Sequence, residues 1–150
     1  MSCSHTIITL DEAELMLAAS LHAASSRRLA VSIAVVDAAG SVVAVRRLDG
    51  ARPVTVPVAL AKAYSSAVMG CDSGDLEVLA TDQPTVFAAM SSSGPTPLVS
   101  GLGGRVILDV DGLVRGAIGV SGSRPDEDDE LAGLAVAALP DVTPHACSAP

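Results

Sequence analysis

The residues best equipped for chemistry in this chain are a serine, a run of acids, a few isolated cations and one histidine inside an apolar helical pattern. The serine is Ser121, in Gly119-Val120-Ser121-Gly122-Ser123. A nucleophile elbow needs Gly-x-Ser-x-Gly, so that a sharp strand-to-helix turn lifts the hydroxyl clear of the sheet. Ser123 stands where the second glycine belongs, so the setting fits and the pattern fails. A triad would also depend on His22, because His5 and His145 fall in terminal tails. Ser121 is therefore expected to be a structural polar group beside the last helix.

Asp126-Glu127-Asp128-Asp129-Glu130 form an unbroken acidic run. A calcium loop alternates its ligands and ends on a glutamate at loop spacing, which this run does not do. At a helix start the same acids face unpaired N–H groups and the positive end of the dipole. Gly101-Leu102-Gly103-Gly104 lacks the last glycine of a dinucleotide fingerprint and a confident strand before it, so it either makes a turn or lets backbone approach a ligand. Among the cations, Lys62 lies in an alanine-rich helix. It is a solubilising surface residue or, if turned toward the sheet, a carboxylate binder, a base or an iminium former. Arg47 could fork a ligand carboxylate or pair with Asp49 or Asp37. His22 follows Leu21 on the first helix, as a half-buried polar residue or as an imidazole offered to haem iron.

Composition removes several function classes. A formal net charge of −8 opposes binding to a phosphate backbone. Phe87 and Tyr64 are the only aromatics, too few for a base-stacking platform. Cys3, Cys71 and Cys147 are odd in number and scattered, which supports neither a disulfide framework nor a zinc knuckle. Neither a signal-peptide pattern nor an apolar run of membrane-spanning length is visible, so a cytoplasmic protein is expected.

The elements that must position these residues follow from periodicity. Thr9-Leu10-Asp11-Glu12 has capping-box spacing, with Ile8 and Ala13 as a staple. Leu10, Ala13, Leu17, Leu21 and Ala24 then share one helical face ending near Arg27 or Arg28. Two β-branched runs around Asp37-Ala38-Ala39-Gly40 predict a hairpin. After a loop, Val58, Ala61, Ser65 and Val68 mark a second helix ending before Gly70. Short helical turns are expected to Met90, with Ser73 and Thr81 as caps and Pro84 early in a helix. A flexible stretch follows, then a second hairpin about Asp111-Gly112. A final helix carries Leu131, Leu134, Ala135 and Ala138, and Pro140 ends it. The order α-β-β-α-β-β-α describes an α+β domain with a mainly antiparallel sheet. The expected boundaries are a tail over 1–8, one domain over 9–139 and a flexible tail over 140–150.

IAVVDAAGSVVAVRRLDGA, ALAKAYSSA and GAIGVSGSRPDEDDELA, in that order, resemble the GlcG/HbpS-like family, which includes the PduO C-terminal domain. That resemblance implies a three-layer profilin- or PAS-like domain that assembles into dimers or larger oligomers. It also implies a small anionic ligand, with haem as the specific cofactor: Arg47, Lys62 and Arg105 would supply positive charge, Gly104 close backbone contact, and His22 the metal contact. In that frame Asp128 either fixes the pocket wall or pairs with a basic residue across a subunit boundary. The alternative is a cofactor-independent isomerase, lyase or cyclase acting on a carbonyl or carboxylate compound. Lys62 would then be the catalytic base or iminium former, with Arg47 and Arg105 holding negative charge and Asp37 positioning one of them. A noncatalytic assembly factor is the third reading. Leu48 in place of the usual Met, Ser65 in place of Thr, and a missing proline after Gly104 are departures from the family pattern.

Overall fold

The computed structural model describes residues 7–143; Cys3, His5, His145 and Cys147 lie outside them, as does most of the tail expected from residue 140. Helix α1 (Leu10–Ser26) leads into the hairpin β1 (Ser32–Asp37) and β2 (Val42–Arg47), then helix α2 (Thr55–Met69). A single 3-10 turn (Ser73–Asp75) precedes two short helices, α3 (Leu76–Asp82) and α4 (Pro84–Ser93). The second hairpin, β3 (Gly104–Leu108) and β4 (Val114–Ser121), runs into helix α5 (Pro125–Ala137). All strand pairs are antiparallel, and the order β2-β1-β4-β3 joins the hairpins through their inner strands. Helix α2 covers one face and α1 with α5 the other, which gives the α+β sheet domain that the element order predicts in the three-layer form that the family resemblance implies.

Local chemistry explains the element boundaries. The Thr9 hydroxyl accepts the Glu12 N–H at 3.2 Å while the Glu12 carboxylate accepts the Thr9 N–H at 2.9 Å, completing the capping box over buried Ile8. In the first hairpin the Asp37 carboxylate accepts the N–H groups of Ala39 and Ser41 at 2.9 and 3.0 Å, and Gly40 takes φ +81° to close the turn. Asp109 does the same for Asp111 and Leu113, both at 2.9 Å. Pro84 opens α4, as expected. Ser73 and Thr81, expected as caps, do otherwise: Thr81 lies within α3, and the Ser73 hydroxyl donates to the Gly101 carbonyl at 2.6 Å and accepts the Gly104 N–H at 2.8 Å.

The two faces of the sheet are packed by different rules. Toward α1 and α5, Ile33, Val35, Ile107, Ile118 and Val120 meet Met16, Leu17 and Leu131 in a core of branched side chains. Each such side chain contributes roughly 1.5–3 kcal/mol by leaving water. Toward α2 the residues are small: Val36 and Ala117 meet Ala63 and Ala67, and Gly119 lies directly beneath the helix backbone. Close approach explains why the face expected for α2 is rotated. Of the expected residues Ala61 and Ser65 are buried but Val68 is 41% exposed, and the buried set extends to Ala59, Ala63, Ser66 and Ala67, all short enough to fit. In α5 the expected stripe also shifts, since Leu134 is exposed and Asp128 takes a buried place.

Candidate functional site

The densest polar cluster lies where β4 passes into α5. Lys62 leaves α2 toward this joint, with its side chain only 12% exposed, so it is not the solubilising surface lysine that its helix composition suggested. Its ammonium donates to the Val120 carbonyl at 2.8 Å and to the Asp128 carboxylate at 3.2 Å. The other Asp128 oxygen accepts the Ser123 N–H at 3.0 Å. Burial raises the Asp128 carboxyl above its ordinary value, against the opposing pull of Lys62 and the Ser123 N–H. Of the two readings of Asp128, the structure realises a pairing with a basic residue, and it does so within one chain. Gly103 completes the contact, because a β-carbon there would sit 2.7 Å from Lys62 Nζ.

Gly104 and Arg105 adjoin this cluster but present little to a ligand. Gly104 is buried, and a β-carbon there would lie 2.7 Å from both the Lys62 carbonyl oxygen and the Ser66 hydroxyl. Its closeness serves helix–strand packing. Arg105 is held by both oxygens of Asp129 and reaches Asp72 at 3.2 Å. Burial pulls the guanidinium down, but the hydrogen bonds and charges of Asp129 and Asp72 outweigh it and hold the group above its usual value. A cleft of about 200 Å³ opens beside it, lined by Val106, Val136 and Val142. With two carboxylates on the guanidinium, that cleft offers no unpaired cation.

Sequence reasoning missed one buried ion pair altogether. Arg115, 7% exposed at the start of β4, donates to both oxygens of Glu12 at 2.6 and 2.8 Å. The signal was present, since a charged residue between apolar neighbours in a strand needs a partner, but Glu12 had already been given its capping role. Burial works to raise the Glu12 carboxyl; Arg115 and the Thr9 N–H outweigh it and bring the group below its ordinary 4.5. A lowered carboxyl contributes stability above its unfolded value and loses it as pH falls through the folded one. Glu12→Gln is therefore expected to cost roughly 2 kcal/mol at neutral pH and to flatten the stability profile in acid. Urea titrations across that range check both.

The remaining predicted site residues stand apart. Asp37 is spent on its turn, at the opposite end of β1 from Ser32. Arg47 is exposed and pairs with neither Asp49 nor Asp37. Lys62, Arg47 and Asp37, the set grouped for acid–base catalysis, thus occupy separate places. His22 is exposed on α1, not half-buried, on the side of the sheet opposite α2. Among the described residues no group of three His, Cys, Asp or Glu could hold a metal ion, and no helix is long and apolar enough to cross a membrane.

Comparison with known proteins gives this architecture relatives. A family model described as haem degrading protein HbpS-like matches residues 8–137. Protein GlcG of Escherichia coli K12 is 31% identical over 115 residues, 77% of this chain and 81% of that protein. The crystal structure of a double mutant of Streptomyces reticuli HbpS superposes with a TM-score of 0.79 at 28% identity, covering 90% of this chain and 88% of that one. A PduOC:heme complex superposes with a TM-score of 0.82, covering 94% of this chain and 100% of that one; at 24% identity it bears on the fold alone.

Proposed function

We propose a ligand-binding role from a fixed premise: the chain belongs to the HbpS-like family, whose model spans residues 8–137. The ligand in this reading is a small anionic molecule, and haem is the specific candidate, in keeping with the family description. One observation carries it. The outward face of α1 presents His22 without a hydrogen-bond partner for its imidazole among the described residues, in line with exposed Leu15 and Ala18. Spacings of three, four and seven residues put these side chains on one stripe. An imidazole nitrogen is a good iron ligand, and the apolar Leu15 and Ala18 side chains beside it suit the face of a porphyrin.

A single helix face covers only one side of a flat macrocycle. The other side is left to solvent or to a second copy of the chain, and closure by a second copy agrees with the homo-oligomer expected from the resemblance. Arg105 and Lys62 already carry carboxylate partners, so they are poor candidates for haem propionates. Titrating the purified protein with haem should give a saturable, shifted Soret band. His22→Ala should change the band position and weaken binding by about tenfold or more. A wild-type protein with no saturable change would end the haem reading, and an unchanged band in His22→Ala would remove His22 from it.

A further inference from the structure

The distribution of unpaired charge singles out a different part of the molecule. Six of the nine cationic side chains have a carboxylate partner: Arg27, Arg46, Lys62, Arg105, Arg115 and Arg124. The three without an ion pair among the described residues are Arg28, Arg47 and Arg52. In a chain with 17 acids, three arginines left over in one region need a reason. All three belong to segments that meet at one pole. Arg47 is the register partner of Ser32, and the Arg52 carbonyl accepts the Thr55 N–H at 3.0 Å and its hydroxyl at 2.7 Å. Two residues after Arg28, Ala30 packs against both Gly50 and Gly122.

Two further features point to an anion. Helix α2 starts at this pole without a side-chain cap; with the Thr55 N–H on the Arg52 carbonyl and Pro57 lacking an N–H, the Val56 N–H is the donor of the first turn that faces outward. Ser121 is only 8% exposed as a residue, and its hydroxyl, which has no hydrogen-bond partner among the described residues, is not one of the fully buried unpaired atoms and so is open to a small ligand. Register places Ser121 beside Ser32, on the same face. The Ser32 hydroxyl meets the Thr55 hydroxyl at 2.7 Å, so this face looks onto the first turn of α2. Arg47, opposite Ser32 on the other side, leaves the sheet by the same face. Asp49 is the opposing charge on the loop, and it forms no ion pair with either neighbouring arginine. Arg28, Arg47 and Arg52 therefore stand without ion pairs on segments where Asp49 is the one acid, while the nearest acids of α5 are turned elsewhere, Glu127 to Ser123 and Asp128 to Ser123 and Lys62.

We propose that this pole is a binding site for the carboxylate of a small organic acid, held by Arg47 and Arg52 and oriented by Ser121 and the start of α2. A guanidinium forks a carboxylate through two parallel N–H donors, and the hydroxyl supplies a third donor from within the protein. The site lies on the α2 side of the sheet, and its existence does not depend on haem binding at α1.

The test is a titration of the full-length, haem-free protein with malonate, followed by two-dimensional amide NMR, with malonamide as the uncharged comparator. Saturable shifts are expected at residues 47–56 and 120–123, with a dissociation constant on the order of 1 mM or tighter. Malonamide should give none. Arg47→Gln and Arg52→Gln should each weaken binding about tenfold, and Ser121→Ala by a few-fold. Arg46→Gln removes the same charge on the opposite sheet face and should leave affinity within about twofold. Linear, unsaturable shifts, or an Arg46→Gln effect as large as that of Arg47→Gln, would overturn the proposal.

Discussion

Replacing Gly119 with alanine is expected to destabilise the protein by about 3 kcal/mol or more and to lower its melting temperature by roughly 10 °C. Gly119 sits in β4 between Ala34 and Gly104, so it has a strand on each side and the α2 backbone above it. A β-carbon would overlap the Ala59 carbonyl oxygen and lie 2.7 Å from the Ala63 nitrogen. Neither atom belongs to a side chain that could rotate away, so the helix must shift as a unit. Moving α2 loosens its contacts with β1, β3 and β4 together. Gly133→Ala is the matched comparison, because a β-carbon on that α5 residue meets nothing within 4 Å. There the better helix propensity of alanine should raise stability by about 0.5–1 kcal/mol. Urea denaturation of the two variants should therefore give opposite signs. A Gly119→Ala protein with unchanged midpoint would mean that α2 does not pack against this strand as described.

That contrast also marks what could be learned before the structure was known. The capping box at Thr9, the Asp-Gly turn at Asp111 and the two apolar hairpins are local features, and each formed where its residues required. What was not legible was how near the layers come. Val58 and Val68 joined Ala61 and Ser65 on the expected face of α2 because hydrophobic spacing was the only guide, whereas the sheet glycines select for alanine and serine, and of that set only Ala61 and Ser65 are buried. The same limit applies to the polar residues. Lys62 and Asp128 are 66 positions apart, and Arg115 and Glu12 are 103 apart. No spacing rule links such residues; only the β2-β1-β4-β3 order brings them together. Family likeness located Arg47, Lys62, Gly104 and Asp128 as notable, but it did not say which of them already had partners. Arg52 attracted no notice, because a lone arginine in a loop carries no pattern.

The second large effect belongs to Lys62, and its size should depend on pH. Lys62→Met keeps much of the stem but leaves Asp128, 4% exposed, without its cation. Breaking a buried pair by removing one partner costs roughly 3–5 kcal/mol, because the remaining charge is stranded. Burial already holds the Asp128 carboxyl above its ordinary 3.8, with Lys62 the main influence pulling it down. For a raised carboxyl the folded state binds its proton more tightly than the unfolded chain. Its stabilising contribution is therefore full below the unfolded value and is lost as pH rises through the folded one. Removing Lys62 pushes the folded value higher still, so the loss grows with pH and continues further toward neutrality. Lys62→Met should accordingly be only mildly destabilised near about pH 4 and fully so near about pH 7. Lys62→Met combined with Asp128→Leu removes both charges and should recover about half or more of the neutral-pH loss, the remainder reflecting the Ser123 N–H left without its acceptor. Urea midpoints across that pH range separate the two causes. If the single variant lost the same amount at every pH, the lysine would be acting through the packing of its stem and not through its charge.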